Sequence, residues 1–289
     1  MEDHETKNAK ASKWMKRGLA LLNENTTASL TESLRCFDHA ITLRRTLPLN
    51  GSHWYRYVLA AGWMNRGDAL TRLGSPENLA EAVRAYDEAL AILQTLDLTK
   101  DPLFRNRLGL AWMNRGVTLQ QQRAPTAVMS FENALAIADE PAVRAASLTN
   151  YGNALLQFKT RDLTKARHAF QEALPLLVEK ELTEIDAAEV CLNARRGICR
   201  VIASQLADAS SPDPDLISAA TDATEEALNL ARHWQQRGEN RFRERALEMI
   251  HFGARAYQLY QPHFLAEFLT EMLATFRPKT LRANQHANA

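Results

Sequence analysis

Apolar positions along this chain recur at helical rather than strand spacing, and they do so inside a longer period. Trp63-Met64-Asn65-Arg66-Gly67 returns unchanged 49 residues later as Trp112-Met113-Asn114-Arg115-Gly116, and Trp14-Met15-Lys16-Arg17-Gly18 lies 49 residues upstream. Weaker copies stand at Leu148-Thr149-Asn150-Tyr151-Gly152 and Asn193-Ala194-Arg195-Arg196-Gly197. Each of the first four copies is followed by a small residue, an aromatic and an alanine: Ser33, Phe37, Ala40; Ala82, Tyr86, Ala89; Ala127, Phe131, Ala134; Ala166, Phe170, Ala173. The fifth has Ala220, Thr224 and Ala227, without a ring. Trp63, Gly67 and Leu70 fall on one helical stripe and Ala82, Tyr86 and Ala89 on another, so each copy predicts a helical hairpin.

Glycine inside a helix costs about 0.8–1 kcal/mol relative to alanine, so its return at one place predicts that something packs closely against it. The opposing aromatic is the candidate. Boundary signals agree with the hairpins. Ser75-Pro76-Glu77 offers an N-cap, a first-turn proline and an early acid; Asp101-Pro102 repeats the device; Thr183 with Asp186 reads as a capping box. The expected hairpins cover 11–48, 52–97, 102–139, 141–180 and 183–236. The second and third begin two turns early, at Ser52 and Pro102, and the fifth turns through a long polar stretch, Asp208 to Asp215. Residues 239–277 read as two closing helices, 240–259 and 262–277, as the open end of such an array requires. Residues 1–10 and 278–289 read as flexible tails.

These residues resemble the tetratricopeptide repeat, a unit of about 34 residues with an aromatic, a glycine, a leucine or tyrosine, an alanine, a second aromatic and a second alanine in order. Trp63, Gly67, Leu70, Ala82, Tyr86 and Ala89 match once the hairpin turn is lengthened by three residues, and the match extends over 11–236. The resemblance implies an all-α α-solenoid of about five hairpins plus the two closing helices, serving as a protein-binding module. The unit is stretched to 49 residues. Arg17, Arg66, Arg115 and Arg196 replace the family's aliphatic residue before the glycine, and the closing proline is displaced or missing. Some members of the family hold a partner's terminal carboxylate in a clamp of Lys, Asn, Asn, Lys and Arg. Across the first three repeats only Asn65 falls on such a position. Across the last three Asn150 and Arg195 do, but Met113, Val117 and Cys191 take the other places, so that clamp is not expected here.

Composition sharpens this picture by exclusion. Apolar residues make up 46% of the chain, enough for a large core. A net charge of +1 leaves no global field for nucleic acid or an anionic bilayer. The longest apolar run, Tyr57 to Met64, is far short of the roughly 20 residues that cross a membrane. The polar, acidic start lacks the pattern of a secretory signal, which gives a cytoplasmic protein as the expectation. Cys191 and Cys199, eight residues apart on one helix, are too distant to bond and read as reduced core thiols. Cys36 and His39 have no second ligand pair, and no cofactor or metal is expected. No GxSxG, GxxxxGK[ST] or GxGxxG pattern occurs, and catalysis is not expected.

What remains is recognition. Stacked hairpins line one concave side with their first helices, so equal repeat positions form a column along it. The position two before the glycine carries Lys16, Asn65, Asn114, Asn150 and Arg195. An amide offers donors and an acceptor, and a column of them can bond an extended peptide backbone; alternatively the asparagines satisfy neighbouring backbone and help stack the repeats. Asp68, Arg72, Gln120, Gln121 and Asn153 stand nearby on the same helices. The column before the glycine, with Arg66 and Arg115 at its centre, either pairs with acids of the second helices, among them Asp38, Asp87, Glu88, Glu132 and Glu172, or forms a ladder for carboxylates. Arg237, Arg241, Arg243 and Arg245 alternate with Glu239, Glu244 and Glu248, which reads as a solvated mixed-charge face. The expected partner is therefore a protein or peptide in the concave groove. The competing reading is a self-associating scaffold, a possible homo-oligomer, and a nucleic-acid-binding helical repeat is a minor third.

Overall fold

The structure, a computed structural model, describes residues 3–158, 162–208, 213–260 and 269–270. Among these residues the chain is all helical, with α1 (His4–Glu24), α2 (Thr27–Arg45), α3 (His53–Leu73), α4 (Pro76–Leu93), α5 (Pro102–Gln121), α6 (Ala127–Ile137), α7 (Pro141–Gln157), α8 (Leu163–Ala173), α9 (Ile185–Asp208), α10 (Pro214–Gln235) and α11 (Arg243–Tyr260). Helices pack chiefly on their neighbours in sequence, an arrangement compatible with a helical repeat. The chain divides into two compact units, Met1–Thr160 and Arg161–Ala289, so the division falls inside the fourth expected hairpin.

In the first unit α1 packs on α2, α3 on α4 and α5 on α6, and each second helix also packs on the next first helix. The glycines explain how closely they meet. A Cβ on Gly18 would lie 2.5 Å from the Phe37 ring, one on Gly67 2.8 Å from Tyr86, and one on Gly116 2.6 Å from Phe131. All three rings are buried, so each hairpin closes with an aromatic face laid on bare helical backbone. α4 buries Leu79, Ala82, Ala85, Tyr86, Ala89, Leu90 and Leu93, a one-sided stripe suited to a helix with solvent behind it. α3 buries Tyr57, Val58, Leu59, Ala60, Gly62, Met64, Gly67, Ala69, Leu70 and Thr71, on several sides. That breadth follows from its position, since α2, α4 and the first helices on either side all reach it.

The caps expected at Ser75 and Asp101 form: Ser75 Oγ accepts from the Asn78 amide at 3.2 Å and Asp101 Oδ1 from the Leu103 amide at 2.8 Å. Ser52 caps α3 in the same way, accepting from Tyr55 at 3.2 Å. Two boundaries differ from expectation. α1 begins at His4 rather than near residue 11, because Asp3 is an N-cap whose carboxylate accepts from the Thr6 amide and hydroxyl, both at 2.7 Å. α9 begins at Ile185, and Thr183 makes no capping box; its hydroxyl donates to the Lys180 carbonyl at 3.2 Å.

In the second unit α9 packs on α8, α10 and α11. Gly197 again meets a ring, but it is Phe170 of α8, the aromatic of the fourth copy. The fifth copy's Thr224 has no ring to offer and donates to the Ala220 carbonyl within α10 at 2.7 Å. Trp234 Nε1 donates to the Glu181 carbonyl at 2.9 Å, and Trp234 meets the buried Phe242 edge-on. α11 supplies the first closing helix. The second, expected at 262–277, and the tail at 278–289 lie outside the described residues except for 269–270.

Candidate functional site

The first helices α1, α3, α5 and α7 neighbour one another in succession. Polar bonds tie them along one stripe. Arg72 Nη1 of α3 donates to the Leu22 carbonyl of α1 at 3.2 Å, Thr71 and Thr118 join α3 to α5 through their hydroxyls at 2.8 Å, and Gln157 Nε2 of α7 donates to the Gln120 carbonyl of α5 at 3.2 Å. Arg72 is two turns beyond Asn65 and Gln157 two turns beyond Asn150, so the asparagines sit on the face where the first helices meet. Asn65, Asn114 and Asn150 are each half-exposed, and Lys16 is exposed at the equivalent place on α1. None of these four side chains is hydrogen-bonded among the described residues. The column does not serve the internal backbone.

Of the other residues assigned to the groove, all but Gln121 bond within the protein. Both oxygens of Asp68 accept from Arg72 at 3.1 Å, and Arg72 also covers the end of α1. Gln120 is half-buried and lends its carbonyl to Gln157; Asn153 is half-buried and engaged within the protein; Gln121 is exposed.

The residues before Gly67, Gly116 and Gly152 all meet acids of the second helices. Arg66 Nε donates to Asp38 of α2 at 2.8 Å and its Nη2 to Glu81 of α4 at 3.2 Å. Arg115 Nε donates to Asp87 of α4 at 2.7 Å and its Nη1 to Ser130 of α6 at 2.9 Å. Each guanidinium lies over the tryptophan three residues before it, 5.9 Å from Trp63 and 5.6 Å from Trp112. On α7 the position is Tyr151, whose hydroxyl donates to Glu132 at 3.2 Å. The acid is always the residue after the aromatic: Phe37-Asp38, Tyr86-Asp87, Phe131-Glu132. Arg66 and Arg115 thus bridge the second helices of successive hairpins.

Arg195 is placed differently from Lys16 and the asparagines. It belongs to the second unit, where its side chain is 6% exposed and bonds Glu181 at 2.6 and 3.2 Å and Glu226 at 2.9 Å. Burial alone would lower its pKa; Glu181, then Glu226, outweigh that and hold the guanidinium above its ordinary value. The pair borders a cleft of about 690 Å³ that includes Val178, Leu182 and His233. Two arginines of the basic run are paired: Arg245 bonds Glu189 at 2.7 Å, and Arg241 approaches Glu189 and Glu239 at 3.6 Å.

One buried cation escaped the sequence reading. Arg44 is 5% exposed, donates to the Val58 carbonyl at 2.6 Å, and has its pKa pushed down to about 10 by burial. Its repeat equivalent, 49 residues on, is Leu93. A charged residue at an apolar repeat position was the available signal.

The three cysteines are free and buried. Burial, aided by Glu181, pushes the Cys191 thiol up to about 12, and burial pushes Cys199 up to about 11, so neither offers a thiolate at neutral pH. His39 stacks on Trp14 with ring centres 4.7 Å apart. Among the described residues no cluster of three His, Cys, Asp or Glu side chains could hold a metal ion, and no helix is long and apolar enough to cross a membrane. No protein-family model and no curated protein sequence matches the chain.

Proposed function

We propose that the chain is a non-catalytic protein-interaction module, a tetratricopeptide-like α-solenoid whose first helices take up a peptide or partner segment along their shared concave face. The observation that carries this reading is the contrast between two columns. Arg66, Arg115 and Tyr151 are engaged between hairpins, whereas Asn65, Asn114 and Asn150, one position earlier, are half-exposed with unused donors and acceptors. Packed helices stand about 8–10 Å apart and an extended strand advances about 3.3 Å per residue, so successive amides would meet roughly every third residue of a bound peptide. Such a column bonds backbone and is tolerant of side-chain sequence, with Lys16 adding charge at one end.

Replacing Asn65, Asn114 and Asn150 together by alanine tests it. Partner recovery in a pull-down from the native cell should be lost while far-UV circular dichroism is unchanged. Undiminished recovery overturns the groove assignment. A concentration-dependent oligomer dispersed by the same triple variant would instead mean that a second copy fills the groove.

A further inference from the structure

Three junctions in the first unit are built to one plan. A second helix lays an acid against the residue before the next glycine, Asp38 on Arg66, Asp87 on Arg115 and Glu132 on Tyr151. The same helices carry aliphatic residues on either side of the acid. α2 presents Leu34 into the cluster around Trp63 and Ile41 against Gly62, and α4 places Val83 with Met113 and Leu90 with Leu108 and Ala111. The receiving surface on α3 includes Gly62, Trp63 and Arg66, and on α5 Leu108, Ala111, Trp112 and Arg115; Leu59 is the α3 residue at the repeat position of Leu108.

On α1 the equivalent residues are Lys10, Lys13, Trp14 and Arg17; their own hairpin's α2 flanks them, with His39 stacked on Trp14, but among the described residues no helix stands where α2 stands against α3. Arg17 retains its within-hairpin partner, Glu32 at 3.3 Å, but has no acid at the junction position, and its side chain is 59% exposed against 19% for both Arg66 and Arg115. With His39, Thr42 and Leu43 these residues enclose an open cleft of about 540 Å³. Where later repeats present Leu and Gly or Ala, this one presents two lysines. Cations replace the apolar floor while the tryptophan and arginine are kept.

We propose that this face binds an acidic amphipathic helix of another protein, one that completes the junction by placing a carboxylate on Arg17 and aliphatic side chains beside Trp14. Charge complementarity selects the acid, and Lys10 and Lys13 extend the preference along the helix while their methylene stems cover apolar surface. A second copy of this chain is a poor source for its first-unit helices, because Asp38, Asp87 and Glu132 are each engaged in their own junctions. This surface is separate from the asparagine column.

The chain contains its own probe. The α4 segment Pro76–Leu93 carries Glu77, Glu81, Asp87 and Glu88 against one arginine and already fits the equivalent surface of α5. A fluorescent peptide of that sequence, stapled so that helix formation does not mask binding, should give a saturable anisotropy rise with the full chain. Affinity should fall at least tenfold with Lys10→Glu/Lys13→Glu in the protein and with Asp87→Asn in the peptide, weaken with salt, and be unchanged by the triple asparagine variant. No saturable binding, or equal affinity for the charge-reversed protein, overturns the proposal. So does self-association that Lys10→Glu/Lys13→Glu abolishes, which would make a second copy the occupant.

Discussion

Gly67→Ala separates a glycine required by packing from one merely tolerated in a helix. On propensity alone alanine would stabilise α3 by about 0.8–1 kcal/mol. The new methyl, however, would lie 2.8–3.0 Å from three carbons of the Tyr86 ring, which is buried between helices with no free end to swing away. Overpacking of that kind costs about 1–3 kcal/mol, so the net effect should be destabilising by up to about 2 kcal/mol. In a Tyr86→Leu background the clash is relieved and the same substitution should become stabilising, a swing of about 1–3 kcal/mol between backgrounds. Thermal denaturation followed by circular dichroism resolves this, since about 1 kcal/mol moves the midpoint of a chain this size by roughly 2–4 °C. If Gly67→Ala stabilises both backgrounds equally, the ring does not set the helix approach and the explanation of the repeated glycine fails.

The bridging arginines and the core thiols give further tests. Arg66→Ala removes bonds to two second helices and should cost about 1–2 kcal/mol, while Arg17→Ala, with one exposed partner, should stay within about 0.5 kcal/mol; equal losses in urea titrations would contradict the junction assignment. The folded pKa values of Cys191 and Cys199 are raised above the ordinary thiol value of 9.0, to about 12 and about 11. Above pH 9 the unfolded chain gives up protons that the folded chain keeps, so stability present below pH 9 should fall as pH rises toward 11–12, by at most about 1.4 kcal/mol per pH unit per thiol. Arg44, lowered to about 10, acts in the opposite sense above that pH. The urea midpoint should therefore drop between pH 8 and 10, and the drop should shrink in Cys191→Ala/Cys199→Ala.

The hairpins of the first unit were legible because glycine, ring and alanine obey local spacing, and their partners come from the same hairpin. Tertiary information defeated the reading elsewhere. Gly197 has no ring in its own copy, where Thr224 stands, and Phe170 of the preceding copy takes that place. The roles of Arg66 and Arg115 were ambiguous because their junction acids sit 28 residues earlier, and only folding shows which of several nearby acids lies in reach. Asp3 looked like the start of a tail because one acid before a polar stretch is equally a cap or a loose end, and the Thr6 amide decides it. Within the site, the asparagine column could be named from the repeat, but that its amides have no internal partner depends on side-chain surroundings.

The junctions before α3 and α5 each join two hairpins through an arginine and an aspartate at matching places, so these two fittings are interchangeable. A duplication or loss of a whole 49-residue segment would rejoin Arg115 with Asp38, or Arg66 with Asp87, and strand no ion. The array can thus lengthen or shorten by complete modules, its bookkeeping of charge intact, and the near-identical segments around Trp63 and Trp112 have the form that such copying leaves behind.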